Sequence, residues 1–396
     1  MTTALALVAG LALLVLTLQD AFEVMLLPRR VQRRWRFVRL FFHSTWKVWS
    51  TFGRMRAPGA RRERLLSIYG PMSMALLFGI WAGAMILAFG LIQWAAQSTS
   101  GHAAPNFGDQ LYMSGVTFFT LGYGDVVPVT SAGRAVAVVE AGSGFGLIAV
   151  VIGYLPVLYQ LFSRREAHVL QLDARAGSPP TATTILKRHA ESDGLDSIDD
   201  MLRTWEIWGA DLLESHLSYP MLAYYRSQHD DQSWLAAMLA IMDTCALILV
   251  GVEDIKPLQA RMTFAMARQV VLEMARSLGV SADRQAQAER LSDADFAKML
   301  TIFEEVNLRW NGGVGSPETL AAVRATYEPL AQGLAEYLLI PLPGWVADEN
   351  ASDHWERGPR GIIARRLIDG LATGAISGDA PPSRRSLLGR VRDRLR

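Results

Sequence analysis

A short run in the first half of the chain has the residue types that could bind a cation through backbone oxygens alone. It reads Thr120-Leu121-Gly122-Tyr123-Gly124. A cation can leave water only when a comparable cage of oxygens replaces its hydration shell, and rings of peptide carbonyls can supply that cage. The carbonyls of successive residues point to one side only if alternate residues adopt unusual backbone angles. Glycine adopts such angles without steric cost, which accounts for Gly122 and Gly124.

This arrangement predicts both the ligands of the cation and the need for several chains. The expected ligands are the carbonyl oxygens of Thr120, Leu121, Gly122 and Tyr123, with the Thr120 hydroxyl as the innermost ring. The Leu121 and Tyr123 side chains should point away from the ion and pack against a short helix at about 109–119, whose C-terminal carbonyls favour a cation. One loop forms only one wall of the cage, so we expect four copies of the chain in a homotetramer.

The surrounding sequence predicts membrane-spanning helices. Of the 396 residues, 51% are hydrophobic and 19% are charged, which is more apolar than a typical soluble protein. Apolar stretches at about 4–27, 72–96 and 132–162 are each long enough to cross a hydrocarbon core of ~30 Å. From Ser163 onward the sequence has the 3.6-residue period of a soluble helical protein. We therefore predict an all-α membrane protein with a membrane part followed by a soluble part.

The distribution of basic residues predicts the orientation of these spans. Arginines crowd residues 29–64, and Arg164 with Arg165 follows the third apolar stretch, whereas the connection 97–131 is poor in Lys and Arg. Basic segments beside spans stay in the cytoplasm. We therefore expect a multi-pass protein with its N-terminus outside and its C-terminus in the cytoplasm.

The first basic segment also carries aromatic residues. The stretch Trp35 to Phe52 mixes tryptophan and phenylalanine with arginine, which is typical of a helix in the lipid headgroup layer. Arg30, Arg33, Arg36 and Arg39 also have the every-third-residue spacing of a voltage-sensing helix. Because the segment is too short and too polar to span, we favour a cytoplasmic interfacial helix.

The motif Thr-x-x-Thr-x-Gly-Tyr-Gly-Asp, from Thr117 to Asp125, is similar to the filter signature of the potassium-channel superfamily. The resemblance extends from Pro71 to about Phe162, and residues 127–134 look like the turn into the inner helix of simple two-span bacterial channels. The resemblance implies a potassium-selective pore-loop channel in a bacterial plasma (inner) membrane. It implies K⁺ as the permeant ligand and no further cofactor.

Four residues are expected to support the filter, namely Thr117, Asp125, Tyr112 and Glu140. Many members of the superfamily bond the aspartate after the filter to a tryptophan of the pore helix, and here Tyr112 is in place to donate to Asp125. Glu140 is an ionisable group inside a span, which is costly and usually has a partner. We expect it to bond to the back of the pore helix through the Thr117 hydroxyl. Val116 occupies the position where some bacterial members carry a coupling glutamate.

The third apolar stretch contains the residues expected to form the gate. Gly144 resembles the gating hinge of simple channels. The residues expected to line the cavity and the inner gate are Phe145, Ile148, Ile152 and Pro156. Glycines in membrane helices also permit close packing. We weigh hinging and packing equally for Gly144 and favour packing for Gly142 and Gly146.

These elements divide the chain into four regions. They are an N-terminal transmembrane helix at 1–28, a basic interfacial segment at 29–70, a pore domain at 71–162 and a cytoplasmic α-helical domain at 163–396. A linker near Gly177–Pro180 should join the last two regions. The stretch Trp234–Val252 is apolar enough for a fourth span, but Asp243 lies near its middle and a crossing would export the basic C-terminal tail. We predict a buried helix of the soluble domain there.

No residue pattern predicts catalysis, so we expect no enzyme, and we expect no nucleic-acid partner. The histidines form no spaced ligand set, and neither a dinucleotide-binding turn nor a cyclic-nucleotide β-roll is present. The loop Asn311–Gly315 could seat an anion, although a plain interhelix loop looks the same. The lipid bilayer is an expected partner, and the sequence does not decide whether the helical domain binds a cytoplasmic ligand.

The alternative function is a membrane-anchored sensor or scaffold whose helical domain carries the main role. The intact Gly-Tyr-Gly run favours the channel.

Overall fold

The computed structural model describes residues 2–26, 37–98, 106–191, 194–229, 232–281, 289–313 and 316–348, together with residues 361 and 363. Within these ranges the chain is α-helical, and its one β feature is an isolated bridge between Val252 and Trp310. The predicted all-α class is confirmed for this part of the chain.

The N-terminal helices are α1 (Thr2–Met25), α2 (Phe37–Arg54), α3 (Ala60–Gln97), α4 (Phe107–Phe118) and α5 (Ser131–Ala176). The C-terminal helices are α6 (Ala182–Glu191), α7 (Ile198–Ser218), α8 (Trp234–Val250), α9 (Pro257–Leu278), α10 (Asp293–Glu305), α11 (Pro317–Arg324) and α12 (Glu328–Leu338). Short 3-10 helices lie at Leu195–Ser197 and at Pro220–Tyr224; the second is called the Pro220 turn below.

Three of the described helices, α1, α3 and α5, are long and apolar enough to cross a membrane, as the sequence predicts. Helix α1 packs along α3, and α3 also contacts α4 and α5. Helix α5 continues to Ala176 without a break, so the predicted domain boundary at residue 162 lies inside a continuous helix. The reason is local: the sequence after Phe162 keeps a helical period, and the first helix-ending residue is Gly177, which follows Ala176.

Helix α2 is only partly the interfacial helix that the sequence predicts. One face, with Phe42 and Trp46, is buried in protein, and the Trp46 indole N–H donates to the Tyr337 carbonyl at 2.9 Å. The opposite face exposes an apolar stripe that suits contact with lipid, consisting of Phe37, Leu40, Val48 and Phe52. The arginines of the considered voltage-sensing pattern lie outside the described residues, except for Arg39.

Helix α8 is the buried helix that the sequence predicts for the soluble domain. Its polar residue Asp243 is 1% exposed and bonds to Arg290 at 2.7 Å and to the Tyr327 hydroxyl at 2.6 Å. A buried charge is tolerated when it is paired and hydrogen-bonded in this way. The predicted linker near Gly177–Pro180 is a packed turn, because Gly177, Ser178 and Pro180 are buried in the domain.

Four helix ends in this domain lie at residues that commonly begin or end helices. The Ser292 hydroxyl accepts from the Asp295 N–H at 3.1 Å, which starts α10. Helix α9 begins at Pro257 and ends at Leu278, and the next residue, Gly279, caps it in the left-handed conformation with φ of 72°. Helix α11 begins at Pro317 after the Ser316 cap.

Candidate functional site

Helix α4 is a short helix whose C-terminal end is fixed in the apolar core of the membrane part. Asn106 starts it by accepting a hydrogen bond from the Gly108 N–H at 3.1 Å. At the other end Phe118 is fully buried against Met85, Phe89 and Ile92 of α3. The residues that follow α4 therefore leave from a fixed point.

The run from Thr120 to Gly124 has a positive φ at every second residue. The values are 59° at Thr120, 60° at Gly122 and 80° at Gly124. The sequence predicts this alternation at the two glycines but not at Thr120, where the left-handed region costs about 1 kcal/mol for a residue with a Cβ. Two hydrogen bonds to α4 hold the start of the run, from the Thr120 N–H to the Thr117 carbonyl at 3.0 Å and from the Leu121 N–H to the Val116 carbonyl at 2.8 Å.

The side chains of Leu121 and Tyr123, which were expected to pack behind the run, are largely exposed in the single chain. In the single chain, Leu121 is 54% exposed and Tyr123 is 67% exposed. The apolar surface of these two side chains is therefore available for contact with another chain.

The contact expected between Tyr112 and Asp125 is present. The Tyr112 hydroxyl donates to Asp125 Oδ2 at 3.0 Å, which links the middle of α4 to the residue after Gly124. Thr117 is half-buried and reaches the run through its backbone carbonyl. Both ends of the run are thereby tied to α4.

Glu140 has a different partner from the one the sequence predicts. It is fully buried, and its Oε1 bonds to the Ser114 hydroxyl of α4, not to Thr117. Ser114 lies one turn before Thr117 on the same side of α4, and helical spacing does not determine which turn of α4 lies level with Glu140. The Ser114 oxygen is also 2.7 Å from the Ile86 carbonyl oxygen of α3. No described residue bonds to Glu140 Oε2.

Gly144 lies where α5 passes the end of α4. A Cβ at this position would lie 2.2 Å from the Phe118 carbonyl oxygen, so glycine is required for close packing. A Cβ at Gly142 or Gly146 would meet nothing within 4 Å. The packing role predicted for these two glycines is therefore not seen within the described part of the chain.

The predicted gate residues share one face of α5, since their positions are three or four apart. Phe145 and Ile152 are each 67% exposed in the single chain, and Ile148 and Pro156 are also exposed. The structure therefore brings these side chains together on a surface that the chain itself leaves uncovered.

Sequence reasoning missed a set of glutamines at the C-terminal end of α3. The Gln93 side-chain amide donates to the Gly133 carbonyl at 3.0 Å, and Gln97 bonds to Gln110 of α4. The Gln97 Oε1 also accepts from the Val129 N–H at 3.2 Å. Amide side chains in an apolar helix need hydrogen-bond partners, so the glutamines in this apolar stretch could have been predicted to make such contacts. These bonds hold α4 and the turn before α5 against α3.

Other candidate features form no site in the described part of the chain. There, no group of three or more His, Cys, Asp or Glu residues could hold a metal ion. In the loop considered as an anion seat, Asn311 Oδ1 accepts from the Gly313 N–H at 3.1 Å, an ordinary turn contact, while Val314 and Gly315 lie outside the described residues.

Comparisons with known proteins agree with this geometry. Residues 74–160 match the model of a protein family described as "Ion channel". An uncharacterized membrane protein, YdjJ of Bacillus subtilis (strain 168), is 21% identical over 195 residues, which cover 48% of this chain and 56% of that protein. Protein LctB of Geobacillus stearothermophilus is 38% identical over 84 residues, which cover 18% of this chain and 62% of LctB.

Protein LctB of Bacillus caldotenax is 36% identical over 85 residues and is covered to the same extent, 62%. The chain thus spans less than two thirds of the length of the relatives that it matches. No solved structure matches it. The chain is therefore an all-α membrane protein whose residues 74–160 are similar to an ion channel family.

Proposed function

We propose that the chain is one subunit of a potassium-selective channel that conducts K⁺ passively through a pore shared by four copies. The ion path runs through the carbonyl oxygens of Thr120, Leu121, Gly122 and Tyr123, with the Thr120 hydroxyl at its inner end and Gly124 at its outer end. Potassium is the permeant ligand, and the protein needs no other cofactor.

The observation that carries the proposal is the alternation of backbone angles from Thr120 to Gly124. Positive φ at alternate residues turns successive carbonyl oxygens toward one side of the run, which is the arrangement that replaces a hydration shell. Thr120 adopts positive φ although its Cβ makes this conformation unfavourable. This supports the view that the function of the run requires the alternating backbone angles.

The exposed apolar residues around the run support assembly from several copies. Leu121 and Tyr123 flank the ion path, while Phe145 and Ile152 lie on the uncovered face of α5. Exposed apolar surface of this kind is covered in membranes by lipid or by another protein chain. Assembly of a homotetramer both covers the filter side chains and completes the ring of carbonyl oxygens.

The proposed channel lies in a bacterial plasma (inner) membrane with its N-terminus outside and the helical domain in the cytoplasm. The basic residues beside the inner ends of the spans support this orientation. Bending of α5 gates the pore, and Pro156 inside this helix supports such bending, since proline removes one backbone hydrogen bond. The helical domain regulates the gate.

Flux measurements in proteoliposomes test this proposal. We expect purified protein to pass K⁺ far faster than Na⁺ and Ba²⁺ to block the flux. Gly122→Ala should abolish the selective flux, because an alanine resists φ of 60°. Gly79→Ala is the matched control, since this glycine of α3 has open space around it and an ordinary φ.

Two outcomes would overturn the proposal. Equal flux of K⁺ and Na⁺ through intact tetramers would remove potassium selectivity. The absence of any flux from a well-folded protein would favour the alternative, a membrane-anchored sensor or scaffold.

A further inference from the structure

Glu140, Ser114 and Ile86 form a row of contacts across three helices behind the Thr120–Gly124 run. Glu140 belongs to α5, Ser114 to α4 and Ile86 to α3. The Ser114 oxygen contacts Glu140 Oε1 on one side and lies 2.7 Å from the Ile86 carbonyl oxygen on the other. Both Glu140 and Ser114 are 0% exposed, so this row is closed off within one chain.

Counting protons along the row distinguishes the two forms of Glu140. A serine hydroxyl has one proton to donate, and the Ile86 carbonyl can only accept. A carboxylate at Glu140 could also only accept a hydrogen bond. Ser114 would then have one proton for two acceptors, the Glu140 carboxylate and the Ile86 carbonyl, so one of these two contacts would not be a hydrogen bond. A carboxylic acid at Glu140 donates to Ser114, Ser114 donates to Ile86, and every contact then holds one proton.

The surroundings of Glu140 lead to the same form by an independent route. Within the described residues Ser114 is the one side-chain hydrogen-bond partner of Glu140. An ionised carboxylate buried without a counter-ion or a full set of donors is costly. The Oε2 atom also lacks a partner, and the carbonyl-type oxygen of a neutral acid tolerates that far better than a charged oxygen does.

We infer that Glu140 is held as a neutral carboxylic acid and donates a hydrogen bond through Ser114 to Ile86, which makes it a positioning residue for α4. Ser114 lies on α4 shortly before Thr120, and the run leaves directly from the end of that helix. A shift of α4 would therefore displace the carbonyl oxygens of the run. The positioning role rests on the proposed function, whereas the protonation of Glu140 does not.

Infrared difference spectroscopy tests the protonation directly, without any need for conduction. We expect wild-type protein in detergent at neutral pH to show the C=O stretching band of a carboxylic acid that Glu140→Gln lacks. Ser114→Ala should move this band to higher frequency, because it removes the hydrogen bond of the acid. A carboxylate band that disappears in Glu140→Gln, with no change in the acid region, would overturn the inference.

Ion flux tests the positioning role, with the K⁺-to-Na⁺ flux ratio as the readout. Loss of one hydrogen bond, about 1 kcal/mol, corresponds to about a fivefold change, so Glu140→Ala and Ser114→Ala should lower the ratio by about that factor. Glu140→Gln keeps a neutral donor and should retain most of the ratio. Ser73→Ala is the matched control, since the hydroxyl of this buried serine of α3 donates to the Gly70 carbonyl of its own helix.

The two sets of measurements separate the possible failures. A Glu140→Gln ratio as low as that of Glu140→Ala would mean that the charge is needed, and it would overturn the inference. Wild-type protein that shows the acid band but no potassium selectivity would contradict the proposed function and leave the protonation of Glu140 intact.

Discussion

Arg165, which lies in α5 beyond its apolar stretch, donates a hydrogen bond to the Tyr225 carbonyl at 2.8 Å. A second nitrogen of the same guanidinium donates to the Leu222 carbonyl at 2.9 Å. Tyr225 directly follows the Pro220 turn, and Arg165 is only 4% exposed. The helix proposed to bend at the gate is thereby bonded to the helical domain through a buried cation.

Replacement of Arg165 should loosen this junction. Arg165→Ala leaves the Leu222 and Tyr225 carbonyls without their donor, and the loss of such a buried charged donor costs on the order of 3 kcal/mol. We expect a clear fall in the melting temperature of the purified protein and a changed open probability in single-channel recordings. Arg164→Ala is the control, because Arg164 is largely exposed in its pair with Asp211. Equal effects of the two variants would contradict the special role of Arg165.

The sequence was sufficient for the features that depend on local pattern. The spans follow from apolar length, the buried α8 follows from Asp243 inside an apolar helix, and Gly122 and Gly124 follow from the backbone angles that the run requires. Each of these features is specified by residues close together in the chain, so composition and spacing predict it.

The sequence was insufficient where two distant elements meet. Arg165 bonds to a turn about sixty residues later, and no periodic pattern relates the two. Ser114 and Thr117 lie on one side of the same helix, so spacing could not decide which of them meets Glu140. The close approach of Gly144 to Phe118 depends on how α4 and α5 cross, which is a property of tertiary packing.

Gly144→Ala should separate the packing role of this glycine from a hinge role. The added Cβ would lie 2.2 Å from the Phe118 carbonyl oxygen, and overpacking of this kind costs about 1–3 kcal/mol. We expect a lower melting temperature and a lower K⁺-to-Na⁺ flux ratio, because the end of α4 must move. Gly153→Ala is the control, since open space surrounds it and alanine favours a helix. A Gly144→Ala protein with altered gating but unchanged stability and selectivity would indicate a hinge alone.

His216 should make the stability of the helical domain depend on pH. Burial, together with the nearby positive charge of Arg165, lowers the pKa of His216 to about 3. The unfolded chain, with a histidine pKa of about 6.5, therefore binds a proton between these values that the folded chain excludes. Stability is fully present above about pH 6.5 and falls as the pH drops toward 3, by up to about 1.4 kcal/mol per pH unit.

Melting temperatures at pH 7 and pH 5 measure this contribution. His216→Asn keeps a donor near the position of Nδ1, which contacts the Leu212 carbonyl at 2.8 Å, but it cannot take up the proton. We expect the variant to lose less stability than wild type between the two pH values. Parallel losses in the two proteins would show that His216 is not the group responsible.

Tyr112 should stabilise the Gly124 end of the proposed filter through its hydrogen bond to Asp125. Tyr112→Phe removes the donor and keeps the ring, so Asp125 loses its tie to α4 and the run from Thr120 to Gly124 loses support at its outer end. We expect faster decay of potassium currents during sustained opening. Tyr112→Trp restores a ring N–H donor and should return the decay toward the wild-type rate. The hydrogen bond has no role in holding the filter open if currents of Tyr112→Phe decay as slowly as those of wild type.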